Sequence, residues 1–161
     1  MTQRKRRKVR MLGIVQRRGR GRPEYVYGRR CKLRELEHEV RVTDVALMYR
    51  DLWTFTRDEE VGEGKTKTIP DAGMTNGRKR AWLEVDNLGK QSRKQYAVKW
   101  AAYSCVGDFV LVVCTSEKRM QQVRSWCPAA LHDRVLLTTF DRLASDAAEP
   151  WIDCAGEPAE L

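Results

Sequence analysis

The chain has 161 residues, 31 Lys/Arg against 22 Asp/Glu, and a formal net charge of +9. With 42% hydrophobic and 33% charged residues it has the composition of one folded domain with a buried core, which excludes a disordered polyelectrolyte. No apolar run reaches the roughly 18 residues of a membrane helix, and the basic N-terminus lacks the apolar stretch of a signal peptide, so the expected location is cytoplasmic.

The charge is uneven. Residues 1–34 carry fourteen Lys/Arg and one acid, Glu24, while the remainder carries four more acids than bases. A basic head on a mildly acidic body is the electrostatic pattern of a polyanion binder. The run Arg4-Lys5-Arg6-Arg7-Lys8 reads either as a solvated terminus or as a phosphate-contacting arm. A membrane surface is the competing anion, but it wants an apolar helical face. Gly13, Gly19, Gly21 and Pro23 break any long helix here, so nucleic acid is the expected partner and a membrane is not.

Val9 to Gln16 is a short mixed stretch. Arg17-Arg18-Gly19-Arg20-Gly21-Arg22-Pro23 is a turn dense in Gly and Arg, and Glu24-Tyr25-Val26-Tyr27 is β-type. Strand, basic turn, strand predicts a β-hairpin arm. Arg17, Arg18, Arg20 and Arg22 at its tip would hold phosphates without reading sequence. Leu33 to Arg50 predicts a helix with Leu36, Val40, Val45, Leu47 and Met48 as its apolar stripe. Trp53 to Thr56 predicts a strand, and Val61 to Thr68 a Gly- and Lys-rich turn. Ile69 to Met74 and Ala81 to Asp86 predict two strands joined at Asn76-Gly77.

Lys90 to Cys105 predicts a helix with Tyr96, Trp100 and Tyr103 at i, i+4, i+7. These aromatics are read as core, with base stacking the minor alternative. Phe109 to Cys114 is a continuous apolar run of the kind found in a buried strand. Ser116 to Trp126 predicts a capped helix and Val135 to Thr139 a last strand. Ala144 to Leu161, acidic and with two prolines, reads as a loose tail. The order is αβββαβαβ. It divides the chain into a basic arm (1–32), an α/β domain (33–143) and the tail (144–161).

Two tempting motifs do not hold. Gly62-Glu63-Gly64-Lys65-Thr66 lacks the glycine that a phosphate-binding loop needs five residues earlier, where Glu59 stands, and a strand rather than a helix follows. The cysteines Cys31, Cys105, Cys114, Cys127 and Cys154 show no C-x-x-C spacing. With His38 and His132 as the only histidines, no zinc pattern is legible, and reduced thiols are expected.

The stronger constellation is Pro70-Asp71, Glu84-Val85-Asp86 and Lys99. Alternation along a strand puts Glu84, Asp86 and Trp82 on one face, and the Asn76-Gly77 turn folds Asp71 back towards Glu84. Converging carboxylates at a strand end make an all-oxygen site for Mg²⁺. Such an ion lowers the pKa of a bound water and steadies charge on a phosphate. The same residues also read as solvated acids at strand ends. His38 reads as a half-buried helix residue or as a base facing the site.

Pro-Asp, then Glu-x-x on a β-hairpin before a helix, resembles the PD-(D/E)xK nuclease superfamily. The chain is similar in particular to the replication-relaxation family of plasmids and integrative elements. The residues that carry the likeness are His38 with Val42-Thr43-Asp44-Val45, Pro70-Asp71, Leu83-Glu84-Val85-Asp86, Gly89, Lys99 with Tyr103, Phe109 to Val113 with Thr115-Ser116, and Arg134 to Thr139 with Leu143. The likeness covers roughly Gly13 to Leu143. The stretch Leu12 to Tyr27 is similar to the wing of a winged-helix domain without its preceding helices, and Gly19 to Pro23 is similar to an AT-hook core.

The resemblance implies a restriction-endonuclease-like αβββαβ core, a mixed sheet flanked by helices, behind a wing-like basic arm. It implies a Mg²⁺- or Mn²⁺-dependent DNA endonuclease or nickase acting in plasmid replication, relaxation or mobilisation, associated with nucleoid or plasmid DNA and with other replication or mobilisation proteins. Asp71, Glu84 and the Val85 carbonyl would hold the metal, Asp86 would add a ligand or order the water, and Lys99 would polarise the nucleophile. The superfamily's lysine follows its glutamate by two residues, where this chain has Asp86, so Lys99 would replace it from the helix. One site per chain nicks, and paired cuts would need a homodimer. A non-catalytic replication or copy-control regulator on the same fold is the alternative.

Overall fold

The computed structural model describes residues 10–15, 24–28, 33–86, 91–145 and 150–161. Strands β1 (Arg10–Val15) and β2 (Glu24–Gly28) pair antiparallel, with a register shift between Met11 and Gly13. This is the hairpin that the alternation of strand, basic turn and strand predicts. The arginines of its turn lie outside the described residues.

Helix α1 (Leu33–Tyr49) leads through Trp53 to the short strand β3 (Thr54–Thr56). The buried face of α1 holds Leu36, Val42 and Val45, whereas Leu47 and Met48, expected in its stripe, are each 53% exposed. One helix turn is 3.6 residues, so a face through positions 42 and 45 continues to Tyr49 and leaves 47 and 48 outside it. A tight hairpin, β4 (Val61–Glu63) and β5 (Thr66–Thr68), stands where a turn was expected. Gly62 sits at φ 101°, and a Cβ there would lie 2.0 Å from the Thr66 carbonyl oxygen and 3.0 Å from Ala102. Only glycine fits this backbone against the following helix.

Strands β6 (Ala72–Thr75) and β7 (Arg80–Asp86) form the central hairpin. Asn76 shapes its loop: Oδ1 accepts the N–H groups of Arg78 and Lys79, and Gly77 takes φ 82°. Helix α2 (Arg93–Tyr103) opens with a Ser92/Gln95 capping box. Strand β8 (Phe109–Cys114), helix α3 (Glu117–Arg124, capped by Ser116), a 3₁₀ turn (Ala129–Leu131) and strand β9 (Val135–Thr139) follow. The short α4 (Phe140–Ala144) is capped by Thr139.

The expected loose tail is in part structured. Strands β10 (Trp151–Ile152) and β11 (Pro158–Ala159) pair antiparallel, and Ile152 pairs with Leu137 of β9. Trp151 is buried and its indole N–H donates to the Tyr49 hydroxyl at 2.9 Å. One buried tryptophan with a satisfied N–H outweighs the acidic, proline-containing composition around it.

The main sheet runs β11-β10-β9-β8-β7-β6-β3. Its centre, β7-β8-β9, is parallel, and the flanking pairs are antiparallel. The protein is therefore α/β with a mixed sheet flanked by helices. On one face Trp82, Val110, Val112, Val135 and Leu137 pack with Tyr96, Trp100 and Tyr103 of α2 and Met120 and Val123 of α3. On the other, Leu83, Val85, Leu111, Val113 and Leu136 pack with Val42 and Val45 of α1 and with Trp53 and Trp151. Burying each such large side chain contributes about 1.5–3 kcal/mol. Among the described residues no helix is long and apolar enough to cross a membrane.

Candidate functional site

Even-numbered residues of β7 face α2 and α3, so Trp82 is joined in that apolar layer by two carboxylates. Glu84 and Asp86 are each 1% exposed. A buried carboxylate requires partners, and the two find different ones.

Glu84 is held from α2. Lys99 Nζ donates to its Oε2, and the Tyr103 hydroxyl donates to its Oε1. Lys99 and Tyr103 are four apart, which places both on one face of the helix. Burial pushes the Glu84 carboxyl up, and the Lys99 ammonium opposes that shift. Burial and the adjacent Glu84 push the Tyr103 phenol far up, so it stays a donor.

Asp71 stands immediately before β6, beside Glu84. Its N–H donates to the Leu83 carbonyl at 3.0 Å, and its Oδ2 accepts the Val85 N–H at 2.7 Å. Its Oδ1 accepts from His38 Nε2 on α1 at 2.8 Å. That hydrogen bond raises the His38 pKa above its ordinary value, against the opposing effect of burial. Arg57 donates to the Asp71 backbone carbonyl and, at 2.6 Å, to Glu39 Oε2. A hollow of about 300 Å³ beside it is lined by Glu39, Arg57, Asp58, Ile69, Pro70 and Asp71.

The structure thus brings Asp71, Glu84 and Lys99 together, as the strand and helix spacing predicts. It does not bring Asp86 with them. Asp86 Oδ2 accepts from Arg119 Nε on α3 at 2.7 Å and from the Tyr96 hydroxyl at 3.2 Å. Arg119 also donates to Gln122 Oε1 at 2.6 Å and to the Gln91 carbonyl at 2.5 Å, and its guanidinium lies 5.0 Å from the Trp126 ring centroid. Asp86 is two residues further along β7, under α3 rather than under Lys99. Its expected role as a ligand gives way to a buried ion pair.

The remaining donors suit a hard divalent cation. The Val85 N–H points towards Asp71, and a strand residue's carbonyl points to the same side as its N–H. Asp71 and Glu84, with the Val85 carbonyl, would offer an all-oxygen set, the preference of Mg²⁺ and Mn²⁺. Val85 carries its side chain into the opposite core layer and offers only backbone here.

Three contributors are not legible as partners in the sequence. Arg119 is 33 residues from Asp86, and no local pattern pairs them. Tyr103 reads as core, and it is core, but its hydroxyl also reaches Glu84. The His38–Asp71 bond depends on how α1 lies on the sheet. The expected phosphate-contacting residues Arg4, Lys5, Arg6, Arg7, Arg17, Arg18, Arg20 and Arg22 all lie outside the described residues. Comparison with known proteins finds no match to a family model, a curated protein or a solved structure.

Proposed function

We propose that the chain is a Mg²⁺- or Mn²⁺-dependent DNA endonuclease or nickase of a mobile element, acting in plasmid replication, relaxation or mobilisation. The observation that carries this reading is the convergence of Asp71 and Glu84 from neighbouring strands with Lys99 beside Glu84. The order α1, β3, β6, β7, α2, β8, with the small β4–β5 hairpin as an insertion, supports a restriction-endonuclease-like core. The replication-relaxation motifs supply the biological setting.

Asp71, Glu84 and the Val85 carbonyl would hold the metal, which would supply a Lewis acid for the scissile phosphate and lower the pKa of a bound water. His38 and Tyr103 donate to Asp71 and Glu84 and so fix both carboxylates. Lys99, already against Glu84, orients and polarises the attacking water. Water attacks phosphorus, one P–O ester bond breaks, and its oxygen leaves with a proton. Asp86 acts at a distance, anchoring Arg119 so that α3 stays seated on the sheet. The arginines of the arm hold the DNA backbone.

The second reading is a DNA-binding regulator without catalysis. Asp86 where the superfamily has its lysine, and the tight closure of Lys99 and Tyr103 on Glu84, favour it. A supercoiled plasmid separates the two. The nuclease converts it to open-circle or linear DNA with Mg²⁺ or Mn²⁺. Glu84→Gln retains gel-shift binding, and Lys99→Met cuts about 10²–10⁴-fold more slowly, the usual worth of a proton-handling group. Binding by the wild type without conversion, in either metal, establishes the regulator.

A further inference from the structure

On the opposite side of the sheet order from Asp71, a second set of donors converges. Cys127 follows α3, His132 ends the 3₁₀ turn, and Cys154 lies in the β10–β11 loop. One ring nitrogen and two sulfurs lie within 4.8 Å of one another. Among the described residues no other three His, Cys, Asp or Glu side chains gather so closely. Strands β8 and β9 separate β7, which carries Glu84, from β10.

We infer that Cys127, His132 and Cys154 form a zinc site that fastens the C-terminal β10–β11 hairpin to the α3–β9 connection. Two thiolates and an imidazole are the donors zinc selects, whereas Mg²⁺ prefers oxygen. Zn–S and Zn–N bonds of roughly 2.0–2.3 Å set tetrahedral donor separations of roughly 3.5–3.8 Å, so closure needs a movement of about 1 Å. His132 is exposed and can make it. Three protein ligands leave the fourth position to water.

The backbone at all three positions is held before any metal arrives. Asp153 Oδ1 accepts the N–H groups of Ala155, Gly156 and Glu157 at 2.8, 2.8 and 3.0 Å, which shapes the turn bearing Cys154. The Cys127 N–H donates to the Arg124 carbonyl at 3.0 Å, closing the end of α3. His132 Nε2–H donates to the Cys127 carbonyl at 3.2 Å. A neutral ring that donates through Nε2 carries its lone pair on Nδ1, and ligating histidines commonly give their second N–H to a backbone carbonyl. The sequence hides this site because its ligands are five and 22 residues apart, with no C-x-x-C pair.

The test uses the full chain, purified reduced and without a histidine tag. Metal analysis is expected to find about one zinc per chain, and Co²⁺ substitution to produce thiolate charge-transfer and intense tetrahedral visible bands. Cys154→Ser loses these bands. His132→Gln, an exposed change that leaves folding intact by circular dichroism, weakens zinc by at least the ~10–100-fold that loss of an outer-shell partner costs. Cys105→Ser and Glu84→Gln leave zinc binding unchanged. Three results overturn the inference: no zinc and no Co²⁺–thiolate bands in reduced protein, metal binding that survives Cys154→Ser, or a Cys127–Cys154 disulfide in freshly isolated protein.

Discussion

Asp71 and His38 show how one hydrogen bond sets a charge. The bond raises the His38 pKa while burial lowers it. An NMR titration of His38 should therefore give a midpoint above 6.5 in the wild type. In Asp71→Asn the burial effect is left to dominate, and the midpoint should fall to about 6.5 or below. The linkage follows in sign. A histidine whose folded pKa is raised contributes stability that is full below its unfolded pKa of about 6.5 and is lost as pH rises through the folded value. Urea midpoints should accordingly fall from about pH 6 to about pH 9 more steeply in the wild type than in His38→Gln. An equal slope in both would show that the His38–Asp71 bond is not made in solution.

Asp86 and Arg119 make the complementary case, a pair that is structural. Both are buried, and Arg119 has a partner for each of its three nitrogens. Arg119→Met strands a carboxylate in the core, and its expected cost is about 3–5 kcal/mol in denaturant unfolding. The exposed Arg142–Glu117 pair, at 2.6 Å, should cost under about 1 kcal/mol when broken by Arg142→Ala. Distance alone does not distinguish these pairs; burial does.

At the scale of elements, legibility follows how local the determining forces are. Strands β8 and β9 are continuous apolar runs, and both begin and end where the sequence predicts. The aromatic face of α2 is legible for the same reason, since Tyr96, Trp100 and Tyr103 are all buried. Asp71 beside Glu84 follows from the β6–β7 hairpin, whose Asn76-Gly77 turn is written locally. The C-terminal strands are two residues each and amphipathic periodicity cannot reveal them. Their position depends on Trp151, which fills the layer shared by α1 and the sheet. Trp151→Ala should cost about 3–5 kcal/mol, as large aromatic truncations in cores do. A cost within about 0.5 kcal/mol, the range of ordinary surface changes, would restore the loose tail.

At the scale of the molecule, the proposed chemistry and the proposed DNA affinity are divided. The carboxylate site belongs to the sheet and helix α2, while the positive charge is concentrated in residues 1–34. Binding by such an arm should be steeply salt-dependent, because each neutralised phosphate releases counterions. Replacing Arg17, Arg18, Arg20 and Arg22 together by alanine should flatten the slope of log K against log salt by up to about 0.9 for each phosphate no longer neutralised, roughly 3.6 in all. The fold should remain unchanged by circular dichroism. A slope unaffected by the four changes would move DNA binding to another surface.

The proposed catalysis rests on the pairing of Asp71 with Glu84, and Mn²⁺ binding followed by electron paramagnetic resonance tests that pairing most directly. The wild-type chain should bind one Mn²⁺ at this site, competed by Mg²⁺, and Glu84→Gln should weaken that binding by more than about tenfold, or about 1.4 kcal/mol. No Mn²⁺ bound by the wild type, or equal binding by both proteins, would contradict the metal-dependent nuclease.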